Sequence, residues 1–178
     1  MKPSVIVRVA TGVSTLAAAV WLGGILVLGA IVAPIVFHEV PAPTSADAMT
    51  HVFLRFDTLA LVALLVAAVA EAVAGRLAPP RSAVETVRLV CGALAGVLAV
   101  VQASWLSPAI ADLHAQGAIR GLGALGEALE VMHKRSELCG KTEVLFLVGF
   151  LALAAFRTQP EKIQLDRTES PAQSPKVG

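Results

Sequence analysis

Four histidines, His38, His51, His114 and His133, are the residues of this 178-residue chain best equipped for chemistry. Imidazole is the commonest transition-metal ligand and also binds haem axially. Two of them facing each other could hold haem b, with His38 and His133 as the axial pair. Two or three with a carboxylate could hold copper or zinc, and His38, His114, His133 and Glu143 form that candidate set. Ser136, Pro34, Pro108 and Gln102 are the candidate supporting residues. The plain alternative is that histidines at a membrane boundary are simply solvated. Glu130-x-x-His133 is one half of a di-iron carboxylate pattern, but the second half is missing. There is no phosphate loop, dinucleotide fingerprint, zinc-protease pair or nucleophile elbow, so nothing in the spacing points to an enzyme.

The elements that must position these residues follow from composition. Hydrophobic residues make up 56% of the chain and charged residues 15%, against about 25% charge in soluble domains. Long uncharged runs predict four membrane spans, at about residues 9–37, 53–75, 88–111 and 140–157. Backbone groups in lipid must be satisfied within a segment, and these runs are too continuous for barrel strands. The expected fold is therefore all-α, an integral membrane four-helix bundle forming one domain over 1–157. The polar, proline-bearing stretch 158–178 reads as a disordered tail. The first apolar run is too long for the core of a secretory signal.

Lys and Arg set the orientation. Lys2, Arg8, Arg76, Arg81, Arg88, Arg157, Lys162, Arg167 and Lys176 fall on one side, and Arg55, Arg120, Lys134, Arg135 and Lys141 on the other. This predicts a multi-pass protein of a bacterial inner membrane with both termini cytoplasmic. Alternation of the spans then brings all four histidines to one outer layer, together with Glu39, Asp57, Asp112, Glu130, Glu137 and Glu143. The net charge of +1 supplies no field for nucleic acid. Lipid is the expected partner, with a second copy or another membrane protein as a further one. Cys91 and Cys139 fall toward opposite sides and make no disulfide framework.

Leu122, Leu125, Leu129 and Met132 line one face of an amphipathic helical segment over about 122–138. Two arrangements fit it, a helix on the membrane surface or an outer extension of the fourth span. If the helix is continuous, its stripe passes through Ser136, Gly140 and Glu143, either as a helix emerging into water or as a polar face turned inward. Pro34 and Pro108 free the carbonyls of Ala30 and Ser104, and such kinks could open a small outer cavity. Gln102 is expected to bond another helix, and Gly92 and Gly96 to allow close helix approach. Trp21 and Trp105 read as interfacial anchors, and Glu71 as a partner for Arg76, with a proton-relay role as the alternative.

Trp21-x-Gly23-Gly24, followed by Pro34 and Phe37, resembles the first span of the transmembrane-protein-205-like domain family, also called domain of unknown function 4149. Leu129–Ser136 resembles its second signature, a histidine followed three residues later by serine, and Pro108-x-Ile110 its third. The likeness covers about residues 9–156. It departs at Cys139 and Gly140, where the family tends to have an asparagine, and it lacks the family's phenylalanine ahead of the histidine. The family is similar in pattern to copper-resistance-D-like membrane proteins, some of whose relatives bind haem. The resemblance therefore implies metal or haem chemistry without deciding between them.

Overall fold

The computed structural model describes residues 3–79 and 82–157. The first span is α1 (Pro3–Val27), a π-helical turn at Leu28–Val32, and α2 (Ala33–Glu39). The second is α3 (Thr44–Leu77). The third is α4 (Ala83–Val101), a π-helical turn at Gln102–Leu106, and α5 (Ser107–Ala115). The fourth is α6 (Gly123–Arg157). All four spans are long and apolar enough to cross a membrane, at 33 to 36 residues each. At 1.5 Å per residue each is about 50 Å long, against about 30 Å of hydrocarbon. Their ends therefore extend well past the boundaries that charge avoidance alone suggested.

Large apolar side chains such as Leu65, Val97 and Leu145 point outward, as expected where lipid is the solvent. The interior is built from small residues. Ala18, Ala60, Ala63, Ala95 and Ala99 surround Trp21, Leu147 and Phe150. Gly92 abuts the Phe150 ring and Gly96 the Leu64 side chain, so both glycines are used within the chain, against α6 and α3 respectively. This is the close packing by which membrane helices associate, since apolar burial drives nothing between them in lipid.

The helices form two tight pairs, α1 with α3 and α4 with α6, joined where α1 meets α6 and where α3 meets the outer part of the third span. Consecutive α3 and α4 touch only sparsely. A cavity of about 200 Å³ opens between them, lined by Trp21, Leu64, Ala67, Gly92, Phe150 and Glu71 among others. It lies toward the α3–α4 turn, away from the histidines, because alanine and glycine face alanine there. The two prolines act differently. Each follows a π-helical turn, in which the Ala33 N–H reaches the Leu28 carbonyl and the Ser107 N–H reaches the Gln102 carbonyl. Each span widens by one residue at that point and continues as helix.

The segment before the fourth span is part of α6, so of the two arrangements considered it is the helical extension. The turn at 116–122 is closed by a Schellman motif at the end of α5. There the Ala118 N–H bonds the Leu113 carbonyl and the Gly117 N–H bonds the His114 carbonyl, with Gly117 at φ 78°. That left-handed conformation is open to glycine at little cost. Gly126 then packs directly on the Ile119 carbonyl, which leaves no room for a Cβ. At the opposite end, Ser82 caps α4 by accepting from the Glu85 N–H at 3.2 Å. The tail expected at 158–178 lies outside the described residues.

Candidate functional site

The up-and-down order of the four spans carries His38, His51, His114 and His133 to the end of the bundle that holds the 40–43 and 116–122 turns. Only two of them meet. The rings of His114 and His133 are 5.9 Å apart between centroids, edge to face at 64°. The Schellman turn fixes His114, and the packing of Ile110, Leu113, Ala118, Leu129 and Met132 holds α5 against α6 just beneath the pair. His38 remains apart, with 84% of its side chain exposed and its Nδ1 3.0 Å from Glu39. His51 is exposed on α3. Alternation fixes the layer in which a histidine lies, but the packing of helix ends decides which histidines touch.

The carboxylates of this end are occupied elsewhere. Glu130 bonds Arg120 and lies 3.3 Å from Lys134, while Lys141 pairs with Glu137 at 2.6 Å. The hydrogen bond that Arg120 donates to Glu130 raises the pKa of the guanidinium and fastens the turn to the first part of α6. Among the described residues no group of three or more His, Cys, Asp or Glu is arranged to hold a metal ion. Glu143, placed with the histidines by the sequence, lies ten residues beyond His133, about 15 Å along the same helix.

Glu143 instead belongs to a second polar cluster, deep in the bundle. It is 4% exposed and accepts a hydrogen bond from Trp21 Nε1 at 2.7 Å. Trp21 is therefore a core residue, 2% exposed, and not an interfacial anchor. The indole turns inward because the bundle offers it an acceptor. Trp105, 54% exposed, fits the anchoring expectation. Above Glu143, Gln102 Nε2 donates to Ser136 Oγ at 2.8 Å and to Ser107 Oγ at 3.1 Å. This bears out Gln102 as an interhelical link, and Ser136 serves the link rather than His133. Asp57, 8% exposed, lies beside Ser107. Cys139 Sγ sits 3.5 Å from the Leu98 carbonyl. The α6 stripe 136–139–143 is thus polar and faces inward.

A third group lies at the other end. Arg88, 2% exposed, grips Glu71 through both terminal nitrogens at 2.7 Å, and Ser14 adds a hydrogen bond at 2.6 Å. The guanidinium also stacks 4.8 Å over the Phe150 ring. The sequence had assigned Glu71 to Arg76, but Arg76 is exposed on the outer face of α3. Arg88 is aimed inward because α4 starts at Ala83, so its second turn already faces the bundle.

A family model described as a domain of unknown function, DUF4149, matches residues 16–119. That stretch is more than half of the chain. The chain belongs to the DUF4149 family. The matched residues take in Trp21, Pro34, Asp57, Glu71, Arg88, Gln102, Ser107 and His114, and stop before α6. His133, which completes the histidine pair, and Ser136 and Glu143, which belong to the deep polar cluster, come from beyond the match. Comparisons with curated proteins and with solved structures found no match.

Proposed function

We propose that this multi-pass membrane protein handles a metal ion, copper before others, at the histidine end of its bundle, through His114 and His133. The separation of the two rings carries the reading. Imidazole nitrogens about 2.0–2.1 Å from a shared ion leave the ring centroids roughly 6 Å apart when the rings are nearly opposed. The observed 5.9 Å suits such a bridge. Zinc ordinarily takes four ligands in a tetrahedron, whereas cuprous copper accepts two, and imidazole suits it. The likeness to copper-resistance-D-like proteins points the same way. His38 and Glu143 are left out of this ligand set, because each is engaged elsewhere.

Haem b is the weaker reading. His38 is remote from His133 in its contacts, and Ile110, Leu113, Leu129 and Met132 close the space beneath the histidine pair, so a porphyrin has no slot there. The charge bias of the turns supports placing the histidine end outside an inner membrane, with both termini cytoplasmic.

The test is titration of the purified chain with cuprous ion against a chromogenic competitor. One ion per chain is expected, lost in His114→Ala and in His133→Ala and kept in His38→Ala. A wild-type chain that takes no copper removes the proposal. A Soret band in the purified chain would install the haem reading in its place.

A further inference from the structure

Asp57 and Glu143 are two carboxyl groups enclosed between membrane helices. Among the described residues neither takes part in an ion pair; Glu143 accepts from the neutral donor Trp21, and Asp57 lies beside Ser107. Enclosing an unpaired charge is among the largest costs a membrane protein can bear, and such residues mark ion or proton sites by default.

Asp57 stands beside a hydrogen-bonded link between two helices. Both N–H groups of the Gln102 amide are spent, on Ser107 and Ser136. Ser107 lies beside Asp57. Two enclosed acceptors are left without a partner, Asp57 Oδ2 and Gln102 Oε1. Ser107 lies beside both, bonded to Gln102 at 3.1 Å and next to Asp57. Two enclosed acceptor oxygens without a donor favour something positive.

The groups facing the pair add no positive charge. From α6 they are Cys139 and Glu143, from α1 Trp21, from the widened turn Gln102, and from α5 Ser107. Asp57 and Glu143 interact electrostatically with each other, and Cys139 with both. Ser136 lies one turn from His133 on α6, so the cluster begins directly beneath the histidine end.

We infer that Asp57, with Gln102, Ser107 and Glu143, forms an internal site for a small monovalent cation, a proton or a sodium ion, reached from the histidine end. The ion supplies the charge that the carboxyl groups lack and the contact that Asp57 Oδ2 and Gln102 Oε1 lack. This site uses neither histidine, so it stands or falls independently of copper binding.

Infrared difference spectroscopy of the full chain in lipid nanodiscs tests it in two arms. In one, sodium chloride replaces choline chloride at fixed pH. In the other, pH is varied without sodium. Changes in the carboxyl and carboxylate bands are expected in at least one arm, lost in Asp57→Asn and reduced in Glu143→Gln. Circular dichroism and a single symmetric size-exclusion peak report that the variants are folded. A response to sodium at fixed pH assigns the ion as sodium, and a response to pH alone assigns a proton. Wild-type bands that move in neither arm overturn the site, as do changes that persist undiminished in folded Asp57→Asn.

Discussion

Glu71 and the Asp57–Glu143 pair are carboxylic acids enclosed in the same bundle, and they are completed in opposite ways. Glu71 receives a bidentate guanidinium and a serine hydroxyl, so its charge is met on the spot. Glu143 receives a neutral donor, and one oxygen of Asp57 receives nothing. The same chain can therefore bring an arginine to a buried carboxylate, and it does so at only one end. The closed end behaves as a clasp between α3 and α4, where those helices otherwise barely touch. The open end has the features of a place where something binds and leaves.

This contrast can be broken most severely at the clasp. Arg88→Met strands Glu71 among helices and should lower stability by about 3–5 kcal/mol, read by unfolding in mixed detergent micelles. Glu71→Leu combined with Arg88→Met should recover most of that loss, because a matched apolar pair replaces a matched charged one. If the double variant is as unstable as the single one, the pair does more than hold helices together.

At the open end the effects should be smaller. Trp21→Phe keeps the ring in the core but removes the donor to Glu143, at about 1–2 kcal/mol. Gln102→Leu cuts the link between Ser107 and Ser136 and should cost about 0.6–2 kcal/mol. Should either variant prove as damaging as Arg88→Met, the open end is as structural as the clasp and the contrast fails. Trp105→Phe, on an exposed indole, should stay within about 0.5 kcal/mol, and it sharpens the comparison by showing that the cost at Trp21 belongs to burial and not to tryptophan as such.

The membrane fold was readable because its cause is simple. Long uncharged runs have one solution in lipid, and the four helices lie where those runs predicted. Gln102 was readable for the same reason, as a lone amide in a span has to find a partner. The polar clusters were harder to read. Spans of about 53–75 and 140–157 leave Asp57 and Glu143 only a few residues from a membrane edge. The helices run on past those charges, and both residues lie near the middle of α3 and α6. Trp21 likewise lies near the middle of its span, and a tryptophan at that depth was the available signal that a polar partner faced it. Arg88 was counted as a cation outside the bundle, since no local pattern tells an arginine at a helix start to turn inward. The sequence placed four histidines in one layer. Which two touch depends on how α5 and α6 pack, and no spacing within one segment encodes that.

The widened turns before Pro34 and Pro108 also bear on how this chain can change in length. Each is an α-helix that has absorbed one surplus residue, so the faces on either side stay in phase only because the turn takes up the slack. Losing a single residue within 28–32 or 102–106 should therefore leave an ordinary helix with its flanking faces aligned. The same loss in a regular turn would rotate everything beyond it by about 100°. These two turns are where one-residue deletions should be borne, and helical periodicity counted straight through them will come out one position wrong.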